Sequence, residues 1–251
     1  MIDKKYKVYV INLKKSKSRK KHIINELKKQ KIKNYEIIDA VNGAVLSLKE
    51  LRSKTYKNKY NNNPWNIKMS PGQIGCSLSH IKVYKIFIKT KFKIALILED
   101  DAIFIDNFKN NLKKLIIKNF KFKKQITLLS ELKEFYQKPI IEGAGYELVN
   151  VTNAFFAHAY FINRDAAKSI VSFNYPVETI ADNFVFFKIY CGIKINGLNP
   201  FIVDQDKVNH KTTIFIKKHN LKKKFLFRKR LFKFKIRIMK FFVRFKSHNI
   251  K

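Results

Sequence analysis

The chain has 251 residues, enough for one large domain or two small ones and for a real core. Hydrophobic residues make up 46%, which excludes global disorder, while 54 Lys and Arg against 18 Asp and Glu leave a formal charge of +36. That surplus directs the chain towards polyanions such as nucleic acid, anionic lipid or phosphate-bearing substrates. A Lys-, Asn-, Ile- and Phe-rich composition is equally what drift in nucleotide composition leaves behind. Two cysteines, Cys76 and Cys191, are too few for a disulfide scaffold, and no metal-ligand spacing surrounds them in the sequence. They predict a reducing compartment. The N-terminus lacks the apolar stretch of a signal peptide, and no segment approaches the roughly 20 apolar residues of a membrane span. The expectation is a cytoplasmic protein with peripheral membrane contact only.

Residues 8–13 form a short apolar run rich in β-branched side chains, a buried strand. Ser16 and Ser18 stand as candidate helix caps, and Ile23, Ile24 and Leu27 recur at the spacing of an amphipathic helix. Residues 35–41 read as a second strand closed by the Asn42-Gly43 turn signal. Strand, helix and strand within about 40 residues predict a βαβ unit and a parallel sheet. Residues 44–71 read as polar and irregular, 72–89 as a helix, and 94–98 as a continuous apolar strand. Helix follows over 108–120, a strand over 126–129, and loop over 131–145. Strands are expected at 149–151 and 159–162, and a helix capped by Asn163 over 164–172. A further helix is expected over 181–190 and a final strand over 193–203.

The segment ILEDDAIF at 97–104 carries the most chemistry. A buried strand delivers Glu99, Asp100 and Asp101 to its C-terminal end, where open α/β sheets bind ligands. Three adjacent carboxylates repel one another and call for a compensating cation. A hard divalent ion such as Mn²⁺ or Mg²⁺ fits oxygen donors of this kind. Glu99 and Asp101, at i and i+2, share one side of an extended chain. Asp100 then points away, to cap a helix or pair with a lysine. The plainer alternative is a solvated strand exit paired with local lysines.

Four ordered segments resemble glycosyltransferase family 25. They are VYVINLKKSKSRKKHI (8–23), YEIIDAVNG (35–43), SPGQIGCSLSH (70–80) followed by ILEDDAIF, and AHAYFINRDAAKSIV (157–171). Each is weak alone, and the ordered set is specific. The resemblance implies a GT-A-like α/β fold: a single domain over 1–216 with a mostly parallel central sheet flanked by helices. It also implies a nucleotide-sugar donor, commonly UDP-galactose, inversion at the anomeric carbon, and a metal motif of Asp-x-Asp type at Glu99 and Asp101. Asn12, Arg19, Asp39, Gly43, Ser79, His80 and Asp100 fall on segments that such proteins turn to the donor. Two departures stand out. Arg19 is alone among lysines where the family has a double-basic element, and ETIADNF (178–184) lacks the usual Pro-x-Asp context, leaving Asp182 as the matching acid.

On this reading a metal on Asp101 and Glu99 bridges the donor diphosphate, and Arg19 assists there with its planar fork of donors. An acid near the acceptor hydroxyl serves as base, Asp182 first, with Asp204 and Asp206 as rivals. His210 is a further candidate for the metal shell, against the plainer role of a surface histidine. His80 has a plainer role too, as a hydrogen-bonded helix-end residue. Cys76 reads as a small packing residue, not a nucleophile.

Residues 217–251 hold 15 Lys or Arg and no Asp or Glu. Leu231, Phe234, Ile238, Phe241 and Phe245 fall at three- or four-residue steps, the pattern of a basic amphipathic helix lying on an anionic membrane. The alternative is a terminal helix packed on the body. A membrane-surface tail suits a lipid-linked oligosaccharide acceptor of lipooligosaccharide or lipopolysaccharide type at the inner face of the cytoplasmic membrane. The rival reading from another class, a nucleic-acid-binding protein, has the charge but no zinc-finger, helix-turn-helix or RNP-type signature, and does not explain the acid cluster. A sugar-nucleotide-binding relative without turnover is the third reading. Deleting residues 222–251 is expected to move the protein from the membrane to the soluble fraction on cell fractionation; an unchanged distribution counts against the tail as anchor.

Overall fold

The computed structural model describes residues 5–55, 69–105, 110–143 and 145–206. His210 and the basic tail lie outside the described residues. In chain order the elements are β1 (Tyr6–Asn12), α1 (Lys17–Lys29), β2 (Tyr35–Asp39), a 3-10 turn (Gly43–Val45), α2 (Leu48–Lys54) and α3 (Pro71–Ile88). Then follow β3 (Ile94–Glu99), β4 (Ala102–Phe104), α4 (Asn110–Lys118), β5 (Gln125–Leu128), β6 (Glu134–Phe135) and β7 (Ile141–Gly143). The remainder are β8 (Tyr146–Asn153), β9 (Ala159–Asn163), α5 (Arg164–Phe173), α6 (Phe184–Tyr190), β10 (Lys194–Asn199) and β11 (Val203–Gln205).

The central sheet has nine strands in the order β2-β1-β3-β9-β5-β10-β8-β6, with β7 also on β8. β1 pairs in parallel with both β2 and β3, and β10 in parallel with β5. β9 runs antiparallel between β3 and β5, and β8 antiparallel to β10. Most strands therefore point one way, as expected for a mostly parallel sheet, with β8 and β9 reversed. Both faces are covered, which explains the continuous apolar runs of β1 and β3. Tyr9, Ile11 and Ile97 face one core layer with Val83, Tyr84 and Phe87 of α3, while Val8, Val10 and Leu96 face the other with Ile23 and Leu27 of α1. Alternate residues of one strand thus serve opposite layers.

Several boundaries differ from the expectation. Residues 44–71 are not wholly irregular: Ser47 and Glu50 form a capping box that starts α2. The loop expected over 131–145 contains the short strands β6 and β7. The helix expected from 181 begins only at Phe184, after Asn183 accepts from the Phe186 amide at 3.3 Å. The last strand is split at Pro200, which has no N–H to continue the ladder. The second half, β11, turns away and pairs antiparallel with β4. Asn163 does cap α5, accepting from the Ala166 amide at 3.1 Å, whereas Ser16, at the N-cap of α1, makes no side-chain cap bond.

Helix α3 positions the loop after β2. Ser70, Pro71 and Gln73 start it with a capping box. Gly75 packs directly on the backbone of the 3-10 turn, so that a Cβ there would lie 2.5 Å from the Gly43 nitrogen and 2.7 Å from the Val41 oxygen. One turn on, Ser79 Oγ accepts from the Val41 amide at 2.8 Å, and beyond it Lys82 Nζ donates to the Asp39 carbonyl at 2.8 Å. Gly75→Ala is expected to destabilise the protein by about 1–3 kcal/mol, because both contacts are backbone and neither can rotate away; the midpoint of denaturant unfolding measures it.

Candidate active site

β1, β2 and β3 end side by side, with Asn12, Asp39 and Glu99 at their C-termini. The chain leaves β1 for β2 on one side and returns to β3 on the other, so this is a switch point in strand order, where α/β sheets bind ligands. A pocket of about 200 Å³ opens there, walled by residues 40–44 and by α3, with the three acids on its floor.

Asp100 and Asp101 are buried, among the described residues they pair with an arginine and not with a lysine, and Asp100 lines the pocket instead of pointing away. Arg19, in the first turn of α1, binds both, reaching Asp100 Oδ1 at 2.8 Å and pairing with Asp101 Oδ2. Asn12 Nδ2 donates to the other Asp100 oxygen at 2.7 Å, and Gln205 Nε2 donates to Asp101 Oδ2 at 2.8 Å. The sequence calls for a compensating cation, and the chain itself supplies the first one. A single guanidinium does not balance three carboxylates, however. Burial pushes the Asp100 carboxyl up to about 6, against the pull of Arg19 and Asn12. Burial and the neighbouring Glu99 raise Asp101 as well. Asp101 Oδ1 is buried and has no hydrogen-bond partner among the described residues. An unpartnered buried carboxylate oxygen beside a second carboxylate is what a hard divalent ion would satisfy, so the acids fit the metal that the sequence implies.

Glu99 behaves differently. Its side chain is 26% exposed towards the pocket. Burial opposes its charge, but the His80 hydrogen bond and the electrostatic pull of His80, His158 and Arg19 prevail and hold the carboxyl below its ordinary range. His80 lies within α3, not at its end, and is buried. Its Nε2 meets Glu99 Oε1 at 3.1 Å and its Nδ1 meets the Tyr160 hydroxyl at 2.8 Å. Tyr160 in turn bonds the Tyr84 hydroxyl. Cys76, one turn before His80, is only partly buried and lines the pocket, so it is not simply a packing residue. Desolvation and the negative neighbours Glu99, Asp182 and Asp101 push its thiol well up, which removes it as a nucleophile. The fold also gives Cys76 metal-type company that sequence spacing does not show. One donor atom each from Cys76, His80 and Glu99 lie within 4.8 Å of one another.

Of the residues singled out from the sequence, Arg19, Gly43, Ser79, His80, Glu99, Asp100 and Asp101 line one pocket. Asn12 stands behind it as a support for Asp100. Asp39 turns an exposed side chain outside the lining and uses its carbonyl to hold Lys82. Asp182, just before α6, accepts from the Phe156 amide at 3.3 Å and does not line the pocket. Burial raises its carboxyl, and Glu99 and His80 both act on it electrostatically. Asp204 accepts from the Gln205 amide, and the Asp206 amide donates to the Asp101 carbonyl at 2.8 Å, so β11 braces the acid loop. Gln205, Tyr84 and the buried His158 are absent from the sequence-derived set. Gln205 stands between two named acids in the sequence, while Tyr84 carries only the signal of an apolar helix stripe.

A cationic fork over buried acids at a strand-order switch occupies the edge where α/β sheets bind ligands. The model of glycosyltransferase family 25 (LPS biosynthesis protein) matches residues 5–185, and the chain belongs to that family, which places it among the glycosyltransferases. Mouse procollagen galactosyltransferase 2 is 29% identical over 173 residues, 65% of this chain and 27% of its own length. The procollagen lysyl hydroxylase and glycosyltransferase of Acanthamoeba polyphaga mimivirus is 25% identical over 221 residues, 81% of this chain and 23% of its own. A Haemophilus influenzae protein, provisionally named a glycosyltransferase, is 29% identical over 207 residues, 80% of this chain and 71% of its own. The chain thus spans about a quarter of the mouse and viral relatives. Among solved structures, a Drosophila β-1,4-galactosyltransferase 7 complex with manganese, UDP-Gal and xylobiose aligns with a TM-score of 0.44 at 8% identity, over 87% of this chain and 78% of that one. The family match favours the enzyme reading over nucleic-acid binding.

The Asp100 carboxyl gives a pH signature. The unfolded chain releases this proton near the ordinary value of 3.8, and the folded chain keeps it to about 6. Between those values the folded state holds the extra proton, so raising the pH removes stability through this group. Asp100→Asn is expected to abolish that component: thermal melts from pH 4 to 6 should show the variant gaining on the parent as pH rises, then a constant difference.

Proposed function

We propose that the chain transfers a hexose, galactose from UDP-galactose, to a lipid-linked oligosaccharide of lipooligosaccharide or lipopolysaccharide type, with inversion at the anomeric carbon. Family membership supports the reaction class. The observation that carries the site is Asp101, a buried carboxylate with a free oxygen beside Glu99 on the pocket floor.

The chemistry divides among the chain's residues. The acceptor hydroxyl oxygen bonds to the anomeric carbon, the bond from that carbon to the diphosphate oxygen breaks, and UDP departs. Asp182, outside the pocket lining but within electrostatic reach of Glu99 and His80, is the residue assigned to take the hydroxyl proton, and its raised carboxyl makes it the stronger base for that step. Arg19 supplies fixed positive charge where the diphosphate negative charge grows. Asp101 and Glu99 would hold Mn²⁺ or Mg²⁺, which when bound supplies Lewis-acid neutralisation of the leaving diphosphate. Gly43 and Ser79 would help line the donor site, Ser79 by holding the Val41 amide.

Among the described residues no helix is long and apolar enough to cross a membrane. The basic tail would bring the enzyme to the cytoplasmic face of the inner membrane, where an anionic surface and a lipid-linked acceptor coincide. Asp101→Ala is expected to lower Mn²⁺-dependent UDP release in the presence of acceptor by about a hundredfold or more, since several kcal/mol of charge stabilisation go with the ion. Retained activity overturns the assignment, and donor binding without turnover in the parent identifies an inactive relative.

A further inference from the structure

We propose that Cys76, His80 and Glu99 form a soft-metal site that takes Zn²⁺ at the inner wall of the pocket. Cys76 and His80 stand one helical turn apart on α3 and so share a face, while Glu99 arrives from the end of β3. A sulfur, an imidazole nitrogen and a carboxylate oxygen already lie within 4.8 Å of one another. Zinc bonds such donors at about 2.0–2.3 Å, so side-chain movement is enough to close the shell. This donor set differs in kind from that of the acid loop. Thiolate and imidazole favour zinc, whereas the oxygens of Asp101 suit manganese or magnesium. Three protein donors leave a fourth position open to the pocket.

The surroundings suit a ligating histidine. With Glu99 ionised, His80 Nε2 donates to it, which leaves Nδ1 to accept from the Tyr160 hydroxyl. When Nε2 turns its lone pair to an ion, the ring proton moves to Nδ1 and is donated to Tyr160. Hydroxyls both donate and accept, so the Tyr160–Tyr84 pair reverses without losing a hydrogen bond. Glu99 is already a carboxylate, and Cys76 releases one proton as its sulfur bonds the ion. Asp101 and Asp182, which act electrostatically on the thiol, favour an added positive charge. Because Glu99 is common to this site and to the ion of the transfer reaction, Zn²⁺ here competes with Mn²⁺ there; that competition alone rests on the function proposed above.

The test uses the full chain, stripped of metal and titrated with Co²⁺ as a coloured stand-in for Zn²⁺. The expected result is a near-ultraviolet thiolate-to-cobalt charge-transfer band that Zn²⁺ displaces. Cys76→Ser and Cys76→Ala, checked for folding by circular dichroism, should both abolish the band, and Cys191→Ser should leave it intact. Tyr160→Phe should weaken Co²⁺ binding by about tenfold, as loss of a hydrogen bond behind a ligand does. Absence of the band in the parent, or its survival in both Cys76 variants, overturns the site. UDP release with Mn²⁺ is read separately. Transfer without the band overturns the zinc site and leaves the transferase standing, and the band without transfer does the reverse.

Discussion

Arg19 reaches from the first turn of α1 to the loop after β3 and takes an oxygen from each of two buried aspartates. The rest of the site follows from that pair. Buried carboxylates are costly unless paired, and removing the partner of a buried ion pair costs about 3–5 kcal/mol. The guanidinium therefore makes it possible for a strand to end in three acids inside a folded protein. It also leaves the acids under-neutralised: Asp100 and Asp101 both hold their protons above the ordinary range. Carboxylates in that condition have the chemistry of a cation site, which is what the proposed metal-assisted transfer uses.

Helix α3 works on two adjacent faces. Gly75, Ser79 and Lys82 clamp the backbone of the loop after β2, by a close approach, an accepted amide and a donated ammonium. Cys76 and His80, each one residue further round, face Glu99 instead. The Gly-Cys-x-x-Ser-His pattern is thus two interleaved devices of the same spacing. One sets the shape of the pocket wall, and the other sets the charge and orientation of the carboxylate on its floor.

Much of this was legible in the sequence because it rests on local pattern. Continuous apolar runs marked β1 and β3, helical spacing marked α1 and α3, and an apolar strand ending in acids marked the candidate ligand edge. The Ser47-Glu50 capping box was legible too, yet a polar neighbourhood hid α2. What could not be read were partners fixed by tertiary pairing. Asp100 meets Arg19 and Asn12 because β1 and β3 are neighbours in register, a fact with no trace in the segment 97–104. Cys76 and His80 signal only an i, i+4 pair until Glu99 is brought to them from a strand. Gln205 reaches Asp101 because the last strand breaks at Pro200 and its second half joins β4 in a separate two-stranded ribbon.

That small ribbon of β4 and β11 fixes how short this protein can be made. The Gln205 side chain and the Asp206 amide both anchor Asp101, one at the carboxylate and one at the carbonyl. Any trimming that stops upstream of residue 205 strips the acid loop of both struts, even though every residue of the pocket floor is still present. The shortest chain that keeps both struts therefore extends past the family-matched stretch and ends at Asp206, one residue beyond β11, and those last residues support the acid loop directly.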